Sequence, residues 1–297
     1  MIVNSASLAA LRVGFQASFE AGLGSAPSQH ARLVTPVTST SRTERYGWLS
    51  KLPNVREWIG DRVVHSLAEQ DYEIKNKPFE LTVSVDRDDI EDDNLGIYAP
   101  LFSEMGESTG AHSDQLVFGA LAAGFATNCF DGQFFFDVDH PVLGANGAMV
   151  SVSNFGGGAG AAWYLLCTKR SIKPLILQKR KPWTFVSKDE PKDDNVFTRK
   201  EFVYGAEARL NVGYGFWQLA YASRQALTPD NYATARAAVM SLQGDYGRPL
   251  GLIPDLLVVP PTLEGAGKAI LTSTIGAAGE TNKWSGTAEL MVSPWLV

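Results

Sequence analysis

The 297-residue chain has 26 Lys and Arg against 32 Asp and Glu, a net charge of −6, which argues against a general nucleic-acid binder because such a protein needs a basic footprint. Its 45% hydrophobic and 20% charged content is ordinary for a globular protein, and a chain this long can bury roughly three quarters of its unfolded surface. Cys129 and Cys167 are the only cysteines, so no disulfide framework is implied and a reduced cytosolic compartment fits; no secretory leader and no membrane-spanning apolar run of about 18 residues is expected.

Ser5 or Ser7 can cap a first helix with Leu8, Leu11, Phe15 and Phe19 on one side, and Gly22 and Gly24 would stop it. The next stretch, 25–45, is rich in Ser, Thr and Pro and lacks periodicity. It cannot by itself offset its ordering entropy. Because it carries Leu33, Val34 and Val37, an arm that orders on a neighbour is expected. Residues 46–85 read as a long projecting loop. It ends in the alternating strand Phe79-Glu80-Leu81-Thr82-Val83-Ser84-Val85. Trp48, Trp58 and Ile59 on such a projection would be costly in water and suggest an interface.

The acidic run 86–93 then leads into a long helix, or a broken helix pair, reaching Phe125. Acids suit a helix start, where unpaired N–H groups carry partial positive charge. Pro100 is tolerable only in a first turn or at a break. Asp131-Gly132 signals a turn and His140-Pro141 an extended dipeptide. The glycine-rich stretch 154–162 reads as a flexible surface loop. Strand candidates are 163–167, 172–178, 183–186, 197–203, part of 206–221, 256–259 and 289–292. Thr228-Pro229 starts a helix with Ala235, Val239 and Leu242 on one face, and a shorter helix covers 263–272. No repeat and no sustained heptad is present. The class is α+β.

Motifs for chemistry are sparse. An EF-hand beginning at Asp86 fails, because Ile90 and Glu91 stand where a ligand and a glycine are needed. No HExxH, phosphate-binding glycine loop or nucleophile elbow is found. Asp137, Asp139 and His140 form the one candidate metal-hydrolase group, without a second His or Cys at ligand spacing. Both cysteines read as buried and structural. No catalytic residue, cofactor site or metal site is assigned. The polarised features are two charge blocks. One is the acidic turn, with Asp88 and Asp92. The other is basic, with Lys169, Arg170, Lys173, Lys179, Arg180 and Lys181, and a smaller acidic group follows at Asp189, Glu190, Asp193 and Asp194. Opposed blocks can set register between copies of a chain. The inter-subunit contact candidates are Trp48, Trp58, Ile59, Arg62, Asp88, Asp92, Lys179 and Arg180.

Several segments resemble the major head subunit of Mu-like transposable phages and prophages. They are Tyr46-Gly47-Trp48-Leu49, Arg56 to Arg62, Arg87 to Tyr98, Asp131 to Phe135 with His140-Pro141, and Ile172 to Leu175. Gly213 to Gln218, Gly247 to Leu250 and Val258 to Pro261 complete the set. They span almost the whole chain in one order. That family is similar to the tailed-phage capsid fold of the Hong Kong 97 type. The resemblance implies an N-terminal arm at 1–45, an extended loop at 46–85, a peripheral domain with a spine helix at 86–128 and 273–297, and a mainly axial domain at 129–272, some of whose strands belong to the peripheral sheet. It implies a viral structural protein that is not an enzyme, a major capsid protein whose hexamers and pentamers form an icosahedral head around double-stranded DNA. Its implied partners are further copies of itself, a scaffold or protease, a portal, a decoration protein and packaged DNA contacted without specificity, with no membrane. Its implied location is the virion, and the host cytoplasm during assembly. Some members of the fold crosslink through Lys and Asn. Lys51, Lys75 and Lys77 lie in or near the loop, but no motif selects one, and no crosslink is assigned.

Overall fold

The computed structural model describes residues 5–49, 72–92, 97–276 and 279–297. In chain order it runs through α1 (Ser5–Ser25), β1 (Val34–Thr38), β2 (Thr43–Arg45), β3 (Glu73–Lys75), β4 (Lys77–Asp86), α2 (Arg87–Glu91) and α3 (Tyr98–Ala123). There follow β5 (His140–Leu143), β6 (Met149–Val152), β7 (Phe155–Gly158), β8 (Trp163–Leu166), β9 (Leu175–Lys188), α4 (Asp194–Arg199) and β10 (Glu201–Tyr214). The rest is β11 (Ala220–Arg224), α5 (Pro229–Met240), the short pair β12 (Gln243–Gly244) and β13 (Arg248–Pro249), β14 (Leu256–Val259), α6 (Glu264–Leu271) and β15 (Glu289–Val292).

The acidic turn and long helix form as a broken pair. Asp86 caps α2, its side chain accepting the Asp88 N–H at 2.8 Å. Pro100 sits in the first turn of α3, where no N–H partner is lost. The two halves of α3 serve different cores. Phe102 and Met105 join Leu8, Phe15, Phe19, Val85, Phe202 and Tyr204; Val117, Phe118 and Leu121 join the larger core of the second sheet. Helix α1 lies along α3 at backbone contact. A Cβ on Gly22 would stand 1.9 Å from the Ser103 carbonyl oxygen, and one on Gly106 would stand 2.1 Å from that of Phe19. Only glycine permits this approach.

A four-stranded sheet in the order β1-β9-β10-β4 packs against these helices. The expected arm orders on its own chain here: β1 runs parallel to β9, pairing Val34 with Leu175 and Thr38 with Lys179. Leu33 and Val34, exposed in an isolated arm, are buried in this molecule's core. The two strands expected at 172–178 and 183–186 are one, β9. The strand expected from 197 starts at Glu201, because Asp194 opens the helical turn α4, which Lys200 closes in the left-handed region at φ 57°. The run 206–221 is split. A Cβ on Gly215 would meet the Lys173 carbonyl oxygen at 2.6 Å, and a 3-10 turn, Trp217–Leu219, precedes β11.

The second sheet has five strands in the order β15-β14-β8-β11-β7. All residues of β8 and β14 are buried, as expected of strands covered on both faces. Helix α5 packs on β11, and α6 on β14 and β15. One expectation changes here. The glycine-rich stretch 154–162 is not simply a loop, since β7 pairs in parallel with β11. The last strand, β15, pairs with β14 from Leu256–Glu289 to Val259–Val292, closing an edge that would leave buried backbone groups unpaired, and its Met291 shares the core that holds Val117, Phe118 and Leu121 of α3. Strands β9 and β10, from the stretch 129–272, pack under α1 and α3.

Candidate assembly surface

The described residues on either side of the segment expected to form the loop are joined to each other. Strands β2 and β3 pair antiparallel, Thr43 with Lys75 and Arg45 with Glu73, and Arg45 Nε meets the Glu73 carboxylate at 2.7 Å. The Tyr46 N–H donates to the Tyr72 carbonyl at 2.9 Å. Tyr46 Oη donates to the buried Gln178 at 2.7 Å, and Gln178 Nε2 donates to the Ile74 carbonyl at 3.0 Å. Burial pushes the Tyr46 phenol up to about 12, which keeps it a neutral donor. Beside this junction, the Glu44 carboxylate accepts from the Thr40 and Ser41 N–H groups at 2.7 and 3.0 Å and from Ser39 Oγ at 2.9 Å. Those bonds, the Thr40 N–H first, lower its pKa to about 2.

Trp48 packs edge-on against Tyr46 and Phe216, with ring centroids 6.0 and 6.1 Å apart. It is half-buried on its own chain's core, so a neighbour is not needed to cover most of it. Trp58, Ile59 and Arg62 lie outside the described residues. Asp88 and Asp92 are exposed on and beside α2; Asp88 Oδ2 lies 3.6 Å from Lys200 Nζ. Lys179 and Arg180 are exposed on β9. The rest of the basic block is partly spoken for: Lys173 Nζ donates to the Ala31 carbonyl at 2.8 Å, and Lys181 pairs with Glu207. Lys188, farther along β9, pairs with Asp194 and lowers its pKa. Composition did not single out the exposed apolar side chains. Phe197 on α4 is 87% exposed and Val13 on α1 66%. Phe197 was hidden by the strand reading of 197–203, which the acidic helix start at Asp193 and Asp194 contradicts.

The candidate hydrolase group does not assemble. The Asp137 carboxylate is taken up by the Phe134 and Val138 N–H groups at 3.2 and 2.7 Å. Asp139 is exposed, its carboxyl raised by local desolvation and then by the Asp137 charge. His140 is buried and turns to Asp131 at 2.7 Å instead. Cys129, which sequence spacing did not connect with His140, lies 3.1 Å from Asp131. Burial and then the Asp131 charge push its thiol far up. The turn at Gly132, φ 88°, makes this meeting possible.

A family model described as the Mu-like prophage major head subunit gpT matches residues 8–296. The major capsid protein of Escherichia phage Mu is 42% identical over the whole of both chains. The Mu-like prophage FluMu major head subunit of Haemophilus influenzae is 45% identical over 90% of this chain and 89% of its own. Among solved structures, a chain of the bacteriophage JBD30 procapsid superposes with a TM-score of 0.86 at 44% identity, covering 99% of this chain and 100% of that one. A chain of the JBD30 capsid gives 0.79 at 34% identity over the whole of both. These likenesses support neither a hydrolase nor a metal-dependent reaction. The fold is the Hong Kong 97-like capsid fold, and the chain belongs to the Mu-like prophage major head subunit family, as a major capsid protein.

Proposed function

We propose that copies of this chain assemble into hexamers and pentamers of an icosahedral head that encloses double-stranded DNA, and that the chain acts by binding rather than catalysis. The observation that carries this reading is the likeness, over 99% of the chain at 44% identity, to a protein that forms a phage procapsid. Contacts between unlike patches on successive copies close into rings when the rotation permits, and many modest contacts add up through multivalency. The peripheral part comprises α1, α3 and the four-stranded sheet. The axial part comprises the five-stranded sheet with α5 and α6. Trp58, Ile59 and Arg62, together with the remaining face of Trp48, contact a neighbouring copy. The acids Asp88 and Asp92 and the bases Lys179 and Arg180 set register between copies. Scaffold or protease, portal and decoration protein bind the assembling shell in the host cytoplasm, and packaged DNA meets the inner face without sequence preference.

Expression of the chain with and without its scaffold, followed by electron microscopy and sedimentation, tests this. Capsomers or closed shells are expected. A monomer at all concentrations, with or without scaffold, overturns it.

A further inference from the structure

Cys129, Asp131 and His140 each offer one ligand atom, and these atoms lie within 4.8 Å of one another. The His140 side chain is fully buried and that of Asp131 is 8% exposed. The His140 ring stacks on Trp217, with centroids 4.0 Å apart and planes within 9°.

Asn154 decides what occupies this cluster. Its Nδ2 faces the carbonyl oxygens of Phe135, Trp217 and Ala220 at 2.8, 3.4 and 3.2 Å. Its Oδ1 accepts the Asp137 N–H at 2.9 Å. Turning the amide over would set oxygen against three carbonyls and NH2 against an N–H, so its orientation is pinned. The same Oδ1 lies 3.2 Å from His140 Nε2. An acceptor there requires the proton on Nε2. Nδ1 then aims a lone pair at an Asp131 carboxylate oxygen 2.7 Å away. Two acceptors this close need a cation between them, either a second ring proton or a metal ion. The Cys129 sulfur stands 3.1 Å from the other oxygen of that carboxylate, adding a third donor.

We propose that Cys129 Sγ, an Asp131 carboxylate oxygen and His140 Nδ1 bind a zinc-class divalent cation, with Asn154 orienting the imidazole. Sulfur, nitrogen and carboxylate oxygen are the donors such ions take. A ligating imidazole whose other N–H is held by an oxygen acceptor is the usual arrangement around them. Bonds of about 2.0–2.3 Å set tetrahedral ligand atoms roughly 3.3–3.7 Å apart, so Asp131 moves slightly away from His140 as the ion enters. The Cys129 thiol releases its proton to solvent, and the ion replaces any proton on Nδ1. A water takes the fourth position. The bound ion ties the turn at Asp131-Gly132 to the start of β5.

The full chain, stripped of metal, is titrated with Co2+ as the probe and then with Zn2+. We expect one Co2+ per chain, a thiolate-to-cobalt charge-transfer band, its loss on displacement by Zn2+, and a higher Tm with either ion. Cys167→Ser keeps the band. Cys129→Ser, which preserves side-chain size, abolishes it, and His140→Gln weakens binding by roughly tenfold or more. The wild-type titration decides even if a variant misfolds. Absence of a sulfur-to-cobalt band in the wild-type chain, or its persistence in Cys129→Ser, overturns the proposal and assigns the cation to a proton.

Discussion

Asp114, on the long helix, caps the turn that carries His30. Its carboxylate accepts the Gln29 and His30 N–H groups at 2.8 and 2.9 Å, and His30 Nδ1 lies 2.5 Å from Oδ1. Three donors on one buried carboxylate fasten the connection between α1 and β1 to α3. The leading segment therefore enters its own sheet. Burial works against the charge on Asp114, but the His30 ring and the two N–H groups prevail and hold its pKa below the usual value.

Asp114→Asn should cost about 2–3 kcal/mol at neutral pH, because charge-assisted hydrogen bonds are lost around a buried group. The native carboxylate's contribution is fully present above the unfolded Asp value, about 4. It is lost as pH falls through the lower folded value. Urea unfolding at a series of pH values between neutrality and acid should show less acid sensitivity in the variant than in the native chain.

Gly106→Ala should destabilise by about 1–3 kcal/mol or more, because its Cβ would press on the Phe19 carbonyl oxygen at 2.1 Å and force α1 away from α3. Gly14→Ala, in the same helix pair, meets nothing within 4 Å. It should instead stabilise by about 0.5–1 kcal/mol through helix propensity. Thermal unfolding of both variants separates close packing from propensity.

Phe15 stacks on Phe102 with centroids 4.2 Å apart and meets Tyr204 edge-on at 5.3 Å. Phe15→Ala should cost about 3–5 kcal/mol. Phe197→Ser, at a residue 87% exposed, should change stability by no more than about 0.5 kcal/mol. Chemical denaturation of the unassembled chain reads both values.

The Glu44 carboxyl, held at about 2, should remain ionised at pH 3. Its contribution to the turn is present above the unfolded Glu value and disappears only as pH falls through about 2. NMR titration should place the Glu44 midpoint there, and Glu44→Gln should speed amide exchange at Thr40 and Ser41.

Lys179→Glu with Arg180→Glu should leave the unfolding midpoint nearly unchanged, since both side chains are exposed. It should reduce shell yield at low salt, measured by sedimentation. If shells form at native yield, these bases do not set register.

Local signals sufficed for what neighbours in sequence decide. The Asp86 cap, Pro100 at the first turn of α3, Thr228 with Pro229 at α5 and the alternation of β4 all act within a few residues. The ordered motifs also pointed to the family and its fold. Strand partners and site membership were decided elsewhere. Nothing in 34–38 specifies β9 as its partner, and nothing in 289–292 specifies β14, because ladder pairing joins groups far apart in the chain. Asp137 and Asp139 lie nearer His140 in sequence, yet the turn at Gly132 delivers Asp131 and Cys129 to it. Leu33 and Val34 read as apolar either way; whether their own core or a second copy covers them depends on the path of the backbone, and the Asp114 cap on the His30 turn sets that path.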